Sequence, residues 1–293
     1  MKPQIHLVLG SGGARGIAHI GVIEELIKND FEIKSVAGCS MGALVGGIYC
    51  AGKLDMYKKW LLNLDKYDVF KLVDFTFSTQ GFVKGERVFK VIEDLIGDHY
   101  IEDFEIPFCA VATDISSKNE VLYKNGSLFH ALRASVAIPT VVTPATWGKK
   151  TLVDGGVLNP LPLNQVKKKS EEEIVVAVNV NASIEPFKLN IENEKKEAAY
   201  QKRIDKFFSQ VFSFERESKE ANEHLGYFDL LNTSFDLLQD RLTEVLIQLH
   251  KPELVVNVSR DTCGTFEFYR AKELIKSGEH AFGIAYEKWK NSQ

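Results

Sequence analysis

The chain has 293 residues, 45% of them hydrophobic and 26% charged, and a net charge of −4. That length can bury a full core, as one large domain or a domain with an appendage, and the composition is that of an ordinary soluble globular protein. A slightly acidic balance with no basic run interleaved with aromatics excludes nucleic acid as the expected partner, and no stretch approaches the length that crosses a bilayer.

The opening "MKPQIHLVLGSGG" carries one lysine and a short apolar run broken by glycine, too short for a secretory leader. Within it, "QIHLVL" predicts a strand that runs into the glycine-rich "GSGGARG". "IAHIGVIEELIKND" then places Ile17, Ile20, Ile23 and Ile27 at helical spacing. "FEIKSVAG" predicts a second strand, and "MGALVGGIYCAG" a very apolar second helix. This order opens a parallel sheet with covering helices. Further strands are expected at "PFCAVATDI", "NEVLYK", "KTLVDGG" and "EEIVVAVNV", the first two joined by the hairpin-like "SSKN". Helices are expected at 84–96, 127–136 and 161–169, and the first unit ends near Asn181. Residues 183–200 are polar and charged, as an exposed connection would be. A helical stretch to about His250, a strand "ELVVNV" and a helix from about Glu267 complete the chain. That last strand needs a sheet to join, so the tail is expected to wrap onto the first unit.

Four cysteines (Cys39, Cys50, Cys109, Cys263) are scattered without metal-ligand spacing, mostly in apolar runs. They read as reduced, buried thiols of a cytoplasmic protein, with no metal expected.

Two features carry chemistry. In "GCSMG", Gly38 and Gly42 stand two residues either side of Ser40, at a strand-to-helix junction. A strained turn that pushes one side chain outward needs such spacing, because backbone and helix come too close for a Cβ. Ser40 is therefore a candidate nucleophile. The loop "GSGGARG" leaves the first strand at the same sheet edge. Its consecutive amides form a hollow for an anion, and beside a nucleophile that hollow would hold the oxyanion of a tetrahedral intermediate. A dinucleotide-binding oxidoreductase is the competing reading of the loop. Against it, the spacing from Gly10 and Gly12 puts Arg15 where that fingerprint wants glycine or alanine, and no acidic residue ends the second strand.

None of the seven histidines falls at a strand exit, and His224, His250 and His280 sit in polar helical contexts. Asp154, in "LVDGGVLNPLP", is delivered to the sheet edge by an apolar strand and followed by Gly155 and Gly156. From the residues alone it is either the base for Ser40 or a plain Asp-Gly turn.

"GSGGARG", "GCSMG" and "DGG" in this order resemble the patatin-like phospholipases of the small bacterial type, as do "ASVAIPTVVTP" and "FVKGERVFKVI". The resemblance covers residues 5–180 well and the tail from about Phe235 more loosely. It implies an α/β three-layer sandwich with a mainly parallel central sheet, residues 1–182 forming the catalytic domain. Residues 183–293 then form a mostly helical extension packed on it. It also implies a metal-free and cofactor-free acyl hydrolase of lipid esters. In that reading Ser40 is the nucleophile and Asp154 the base of a histidine-free dyad. Gly12, Gly13 and Ala14 form the oxyanion hole, while Gly10, Arg15, Gly16, Gly38, Gly42, Gly155 and Gly156 shape the motifs. The family commonly has glycine where Ser11 stands and threonine where Cys39 stands. A lipid-binding or regulatory module with weak turnover is the alternative from another class.

Arg15 is expected to brace the loop rather than bind an anionic head group. Ser135 and Pro139, at the end of a helix, are expected to shape a pocket wall. Phe70, Phe75, Phe77 and Phe82, and the helical face Ile204, Phe207, Phe208, Val211 and Phe212, are candidates for peripheral contact with a membrane surface. The helical spacing of the second set equally suits core packing.

Overall fold

The computed structural model describes residues 2–72, 75–78, 81–187 and 227–292. The chain begins β1 (Gln4–Leu9), α1 (Ala18–Lys28), β2 (Glu32–Cys39), α2 (Met41–Cys50), α3 (Leu54–Leu62) and α4 (Lys66–Leu72). Next come β3 (Phe75–Ser78), β4 (Gly81–Val83), α5 (Glu86–Ile96), β5 (Phe108–Asp114), β6 (Asn119–Tyr123) and α6 (Leu128–Ser135). β7 (Thr140–Val142), β8 (Ala145–Trp147), β9 (Lys150–Asp154) and β10 (Ile174–Ala182) follow, then α7 (Tyr227–His250), β11 (Leu254–Ser259) and α8 (Ala271–Lys290).

The main sheet runs β11-β10-β1-β2-β5, all parallel; β5 also pairs antiparallel with β6 and with β9, and β9 pairs antiparallel with β8. Strand alternation divides the core. Leu7, Leu9, Val36, Val176 and Val178 face one side, in the large core shared with α1, α2 and α8. Val8, Ala37, Val111 and Ala177 face the other, under Leu161, Leu163 and Val166, with Leu246 and Ile247 of α7 beside Val8 and Ala177. The result is a three-layer α/β sandwich. A smaller sheet, β3-β4-β7, stands apart from it.

The late strand behaves as its sequence demands: β11 pairs in parallel with β10, Val256 opposite Val178. α8 then lies against α1. A Cβ on Gly21 would stand 2.1 Å from the Ile275 carbonyl oxygen, and one on Gly278 2.0 Å from that of Ala18. The two helix backbones meet at glycine on both sides.

The helix expected at 161–169 is absent; only a single 3-10 turn, Leu163–Gln165, forms there. Leu161 and Leu163 are both buried, two residues apart, a spacing that an extended segment satisfies and a helix does not. Pro160 and Pro162 further disfavour a helix. α3, α4 and the short strands β3, β4, β7 and β8 were not foreseen. The side chains of Phe75, Phe77 and Phe82, and residues Ile204, Phe207, Phe208, Val211, Phe212 and His224, lie outside the described residues. No helix among the described residues is long and apolar enough to cross a membrane.

Candidate active site

β5 sets the geometry. Its residues 110–114 pair with β6 along one edge, which leaves the other edge to β2 and β9. Cys39, the last residue of β2, registers against Val111, and Asp154, the last of β9, against Ala112. Two strands distant in sequence thus end at neighbouring positions of a third. Ser40 follows Cys39 directly, and its hydroxyl donates to Asp154 Oδ2 at 2.5 Å.

Ser40 takes φ 54° and ψ −125°, a conformation that costs a non-glycine residue about 1–3 kcal/mol. The surroundings enforce it. A Cβ on Gly38 would lie 2.6 Å from the Ala43 backbone, one on Gly42 2.2 Å from the Leu9 carbonyl oxygen, and one on Gly155 2.3 Å from that of Val111. Strand, elbow and helix are therefore packed backbone to backbone. The elbow is also hydrogen-bonded: Ser40 donates its amide to Ser135 Oγ at 2.9 Å, and Ser135 Oγ–H donates to the Val111 carbonyl at 2.6 Å. Ser135 is fully buried and ties Ser40 to β5.

Asp154 is 1% exposed. Burial pushes its carboxyl up to about 6, against the opposing pull of hydrogen bonds from Ser40, the Gly156 amide and Cys39. The Gly156 amide donates to Oδ1 at 2.7 Å, and the Cys39 thiol reaches the same oxygen at 3.7 Å. Burial first, and then the charge of Asp154, hold the Cys39 thiol well above its ordinary value. A thiol held protonated against a carboxylate is a poor nucleophile.

In the glycine loop, the Gly10 amide donates to Val178 O at 3.0 Å, the Ser11 amide to Pro160 O at 2.9 Å, and the Ala14 amide to Thr265 O at 2.9 Å. Gly12 and Gly13 donate to no group among the described residues. Of the three amides expected as oxyanion donors, that of Ala14 is engaged by the Thr265 carbonyl, and those of Gly12 and Gly13 have no partner among the described residues. The engaged amides of Gly10 and Ser11 also leave a pyrophosphate less to hold than a nucleotide-binding loop offers. Arg15 is buried, donating from Nε to Asn181 Oδ1 at 3.0 Å and from a terminal nitrogen to Cys263 O at 3.3 Å. Asn181 Nδ2 in turn donates to Ser11 O at 3.0 Å. Arg15 is built into the brace of the loop.

Among the described hydrogen bonds, no histidine touches Ser40 or Asp154. His19 is held down at about 4 by burial, so its neutral ring donates Nε2–H to the Gly10 carbonyl at 2.9 Å. His6 lies between Ser35 and Glu173 near the start of β1, away from the strand ends that carry Ser40 and Asp154. No cluster of three His, Cys, Asp or Glu side chains able to hold a metal ion occurs among the described residues.

Ser40 and Gly13 open into a pocket lined almost wholly by apolar side chains. Its walls come from Tyr57, Trp60 and Leu61 of α3, Val69 of α4, Phe89 and Ile92 of α5, and Val141 and Val142 of β7. Thr265, Phe266 and Phe268 close it from the segment between β11 and α8. Gln239 of α7 packs its side chain against Gly156, next to Asp154, and comes within 3.5 Å of Ser11 Oγ. Sequence reading missed Gln239, Thr265 and the bridging role of Ser135. No spacing rule connects any of them to Ser40.

Residues 7–167 match the family model of patatin-like phospholipases. An uncharacterized NTE family protein of Mycobacterium tuberculosis is 31% identical over 323 residues, covering 94% of this chain and 89% of that protein. The neuropathy target esterase sws of Drosophila melanogaster is 32% identical over 186 residues, covering 61% of this chain but only 13% of its own length. The crystal structure of VipD from Legionella pneumophila aligns with 97% of this chain and 67% of its own at TM-score 0.43 and 14% identity.

Proposed function

Given that the chain belongs to the patatin-like phospholipase family, we propose that it hydrolyses carboxylic esters of lipids, with Ser40 as nucleophile and Asp154 as the only base. The observation that carries this reading is the 2.5 Å hydrogen bond from Ser40 Oγ to Asp154 Oδ2, buried at the head of an apolar pocket. Oγ attacks the ester carbonyl carbon and passes its proton to Oδ2. The oxygen that becomes negative is met by the free amides of Gly12 and Gly13, while the Ala14 amide serves the structure of the loop. Collapse of the tetrahedral intermediate returns the proton to the departing alcohol. Water then attacks the acyl carbonyl carbon while Asp154 takes its proton; the bond to Ser40 Oγ breaks as Asp154 returns that proton to Oγ, and the acyl group leaves as a carboxylic acid. Burial suits Asp154 to this duty, since a carboxylate near 6 is a stronger base than a solvated one.

The pocket favours an acyl chain over a polar head as the part held inside, which supports a phospholipase A or lysophospholipase-like substrate. We place the catalytic unit in residues 1–182 and read 183–293 as an extension packed on it, supported by the contact of α8 with α1. The four free cysteines fit a cytoplasmic location, with peripheral contact at the membrane that holds the substrate. Labelling with a fluorophosphonate probe, mapped by mass spectrometry, tests nucleophile and competence together. Label at Ser40 that is lost in Ser40→Ala supports the reading, and label elsewhere or none at all ends it. A lipid-binding module without turnover gives no label.

A further inference from the structure

The segment between β11 and α8 lies more than 220 residues from the elbow in sequence and yet forms part of the same pocket. Thr265, Phe266 and Phe268 line it beside Ser40 and Gly13. Thr265 also grips the glycine loop: its carbonyl accepts the Ala14 amide at 2.9 Å, and a Cβ on Gly13 would stand 2.7 Å from its methyl group. A wall that touches the anion hollow is at a fixed distance from wherever the ester carbonyl must sit. The segment is also held rigid from behind. Glu267 accepts the Gly264 amide at 3.0 Å and the Arg270 guanidinium at 2.6 Å, and Arg15 donates to the Cys263 carbonyl at 3.3 Å.

We propose that the turn Gly264–Phe268 is the specificity-determining wall of the acyl pocket, with Phe266 and Phe268 setting the acyl length the enzyme prefers. Thr265 supplies the fixed origin from which that length is measured. This rests on the ester-hydrolase reading of Ser40. A long acyl chain is stabilised by the apolar area it buries against the two rings, and an acetyl group has far less area to bury there. Truncating a ring therefore weakens long-chain esters selectively, whereas a merely structural residue would weaken all esters alike.

The test compares p-nitrophenyl decanoate with p-nitrophenyl acetate on the full chain and on Phe266→Ala and Phe268→Ala. Phe266→Leu and Phe268→Leu are carried alongside as variants that disturb packing least. The ratio of decanoate to acetate kcat/KM should fall roughly tenfold in an alanine variant and less in the leucine variant. Calorimetry with free decanoate, which needs no turnover, should show binding weakened about fivefold or more in the same alanine variants. Equal losses for both esters, or an unchanged ratio with unchanged decanoate affinity, would overturn the proposal. A parent chain that neither turns over esters nor takes label at Ser40 overturns the hydrolase reading instead, and decanoate calorimetry still decides the wall.

Discussion

Two regions meet at Ser40 and hold the site by different means. Residues 38–43 and 154–156 work through backbone: glycines that let three main chains touch, a strained serine, and two strand ends registered on neighbouring residues of β5. Residues 236–268 work through contacts laid on the outside of the glycine loop, namely Gln239 near Ser11 and the Thr265 carbonyl on Ala14. On the proposed reading, the first region places the reacting atoms. The second holds what surrounds them. If this division is right, substitutions in the first region cost orders of magnitude in turnover, and those in the second change preference or stability.

The sharpest way to break that comparison is at the nucleophile. Ser40→Ala should lower ester turnover by at least about a thousandfold, leaving what the oxyanion hollow and binding supply alone. Replacing Cys39 by alanine should leave the label in place, because its thiol is buried and held protonated. Loss of label in the Cys39 variant but not in Ser40→Ala would mean that the elbow presents a different atom.

A somewhat smaller effect is expected at Ser135. Its removal leaves the Ser40 amide and the Val111 carbonyl without their shared partner in a buried setting. Ser135→Ala should cost about 1–3 kcal/mol of stability for the unsatisfied groups, and roughly tenfold to a hundredfold in kcat through a misaimed elbow. Denaturant unfolding and steady-state kinetics read the two quantities separately. A variant that loses stability but keeps kcat would show that strain alone aims Ser40.

How far the site was legible follows the same division. The elbow, the glycine loop and the strand that delivers Asp154 are local patterns, in which the residues imposing a conformation lie beside the residue that adopts it. That no histidine stands at a predicted strand exit was legible too, though it leaves the identity of the base a proposal. Pairing Asp154 with Ser40 was less so: "DGG" alone reads equally as a turn, and β5 supplies the register that joins them. Ser135, Gln239 and Thr265 carry no local sign at all. Each reaches the elbow or the glycine loop across 95 to 251 positions, Ser135 and Thr265 at the amides of Ser40 and Ala14 and Gln239 at the Ser11 hydroxyl. The helix expected at 161–169 failed for a related reason. Its apolar residues answer to the sheet face beneath them, and that face asks for a spacing of two.

Asp154 gives a test in which function and stability move in opposite directions. Its folded value of about 6 lies above the ordinary 3.8, so the folded state favours the protonated carboxyl. That preference supports the fold fully below about pH 3.8 and is lost as pH rises through about 6, beyond which the ionised group is a net cost. The size of that cost is on the order of 3 kcal/mol. Asp154→Asn, neutral throughout, should therefore gain stability over the parent between about pH 4 and 6 and hold the gain above. It should also lose turnover. In the parent, kcat/KM should fall below about pH 6 as a single proton neutralises the base. Thermal unfolding of both proteins across this range, beside the parent pH–rate profile, checks both halves. A parent that gains on the Asn variant as pH rises would show that Asp154 is stabilised as an anion in the fold.

The smallest effect is expected at Gln239, where the outer region touches the inner one most lightly. Its contact with Ser11 Oγ is 3.5 Å long, too long to be worth more than a weak hydrogen bond. Its packing is closer, since its side-chain nitrogen occupies the space where a Cβ on Gly156 would stand. Gly156 donates the amide that holds Asp154 Oδ1. Gln239 can therefore reach the base only by pressing on the turn behind it. Gln239→Ala removes that pressure and opens a small space, which should cost about 1 kcal/mol in stability and no more than a few-fold in kcat. Gln239→Leu keeps the bulk without the amide and should recover most of the kcat if packing is what matters. A hundredfold loss in both variants would mean that α7 fixes the dyad as firmly as the elbow does. The boundary drawn between the region that places the reacting atoms and the region that surrounds them would then have to include Gln239.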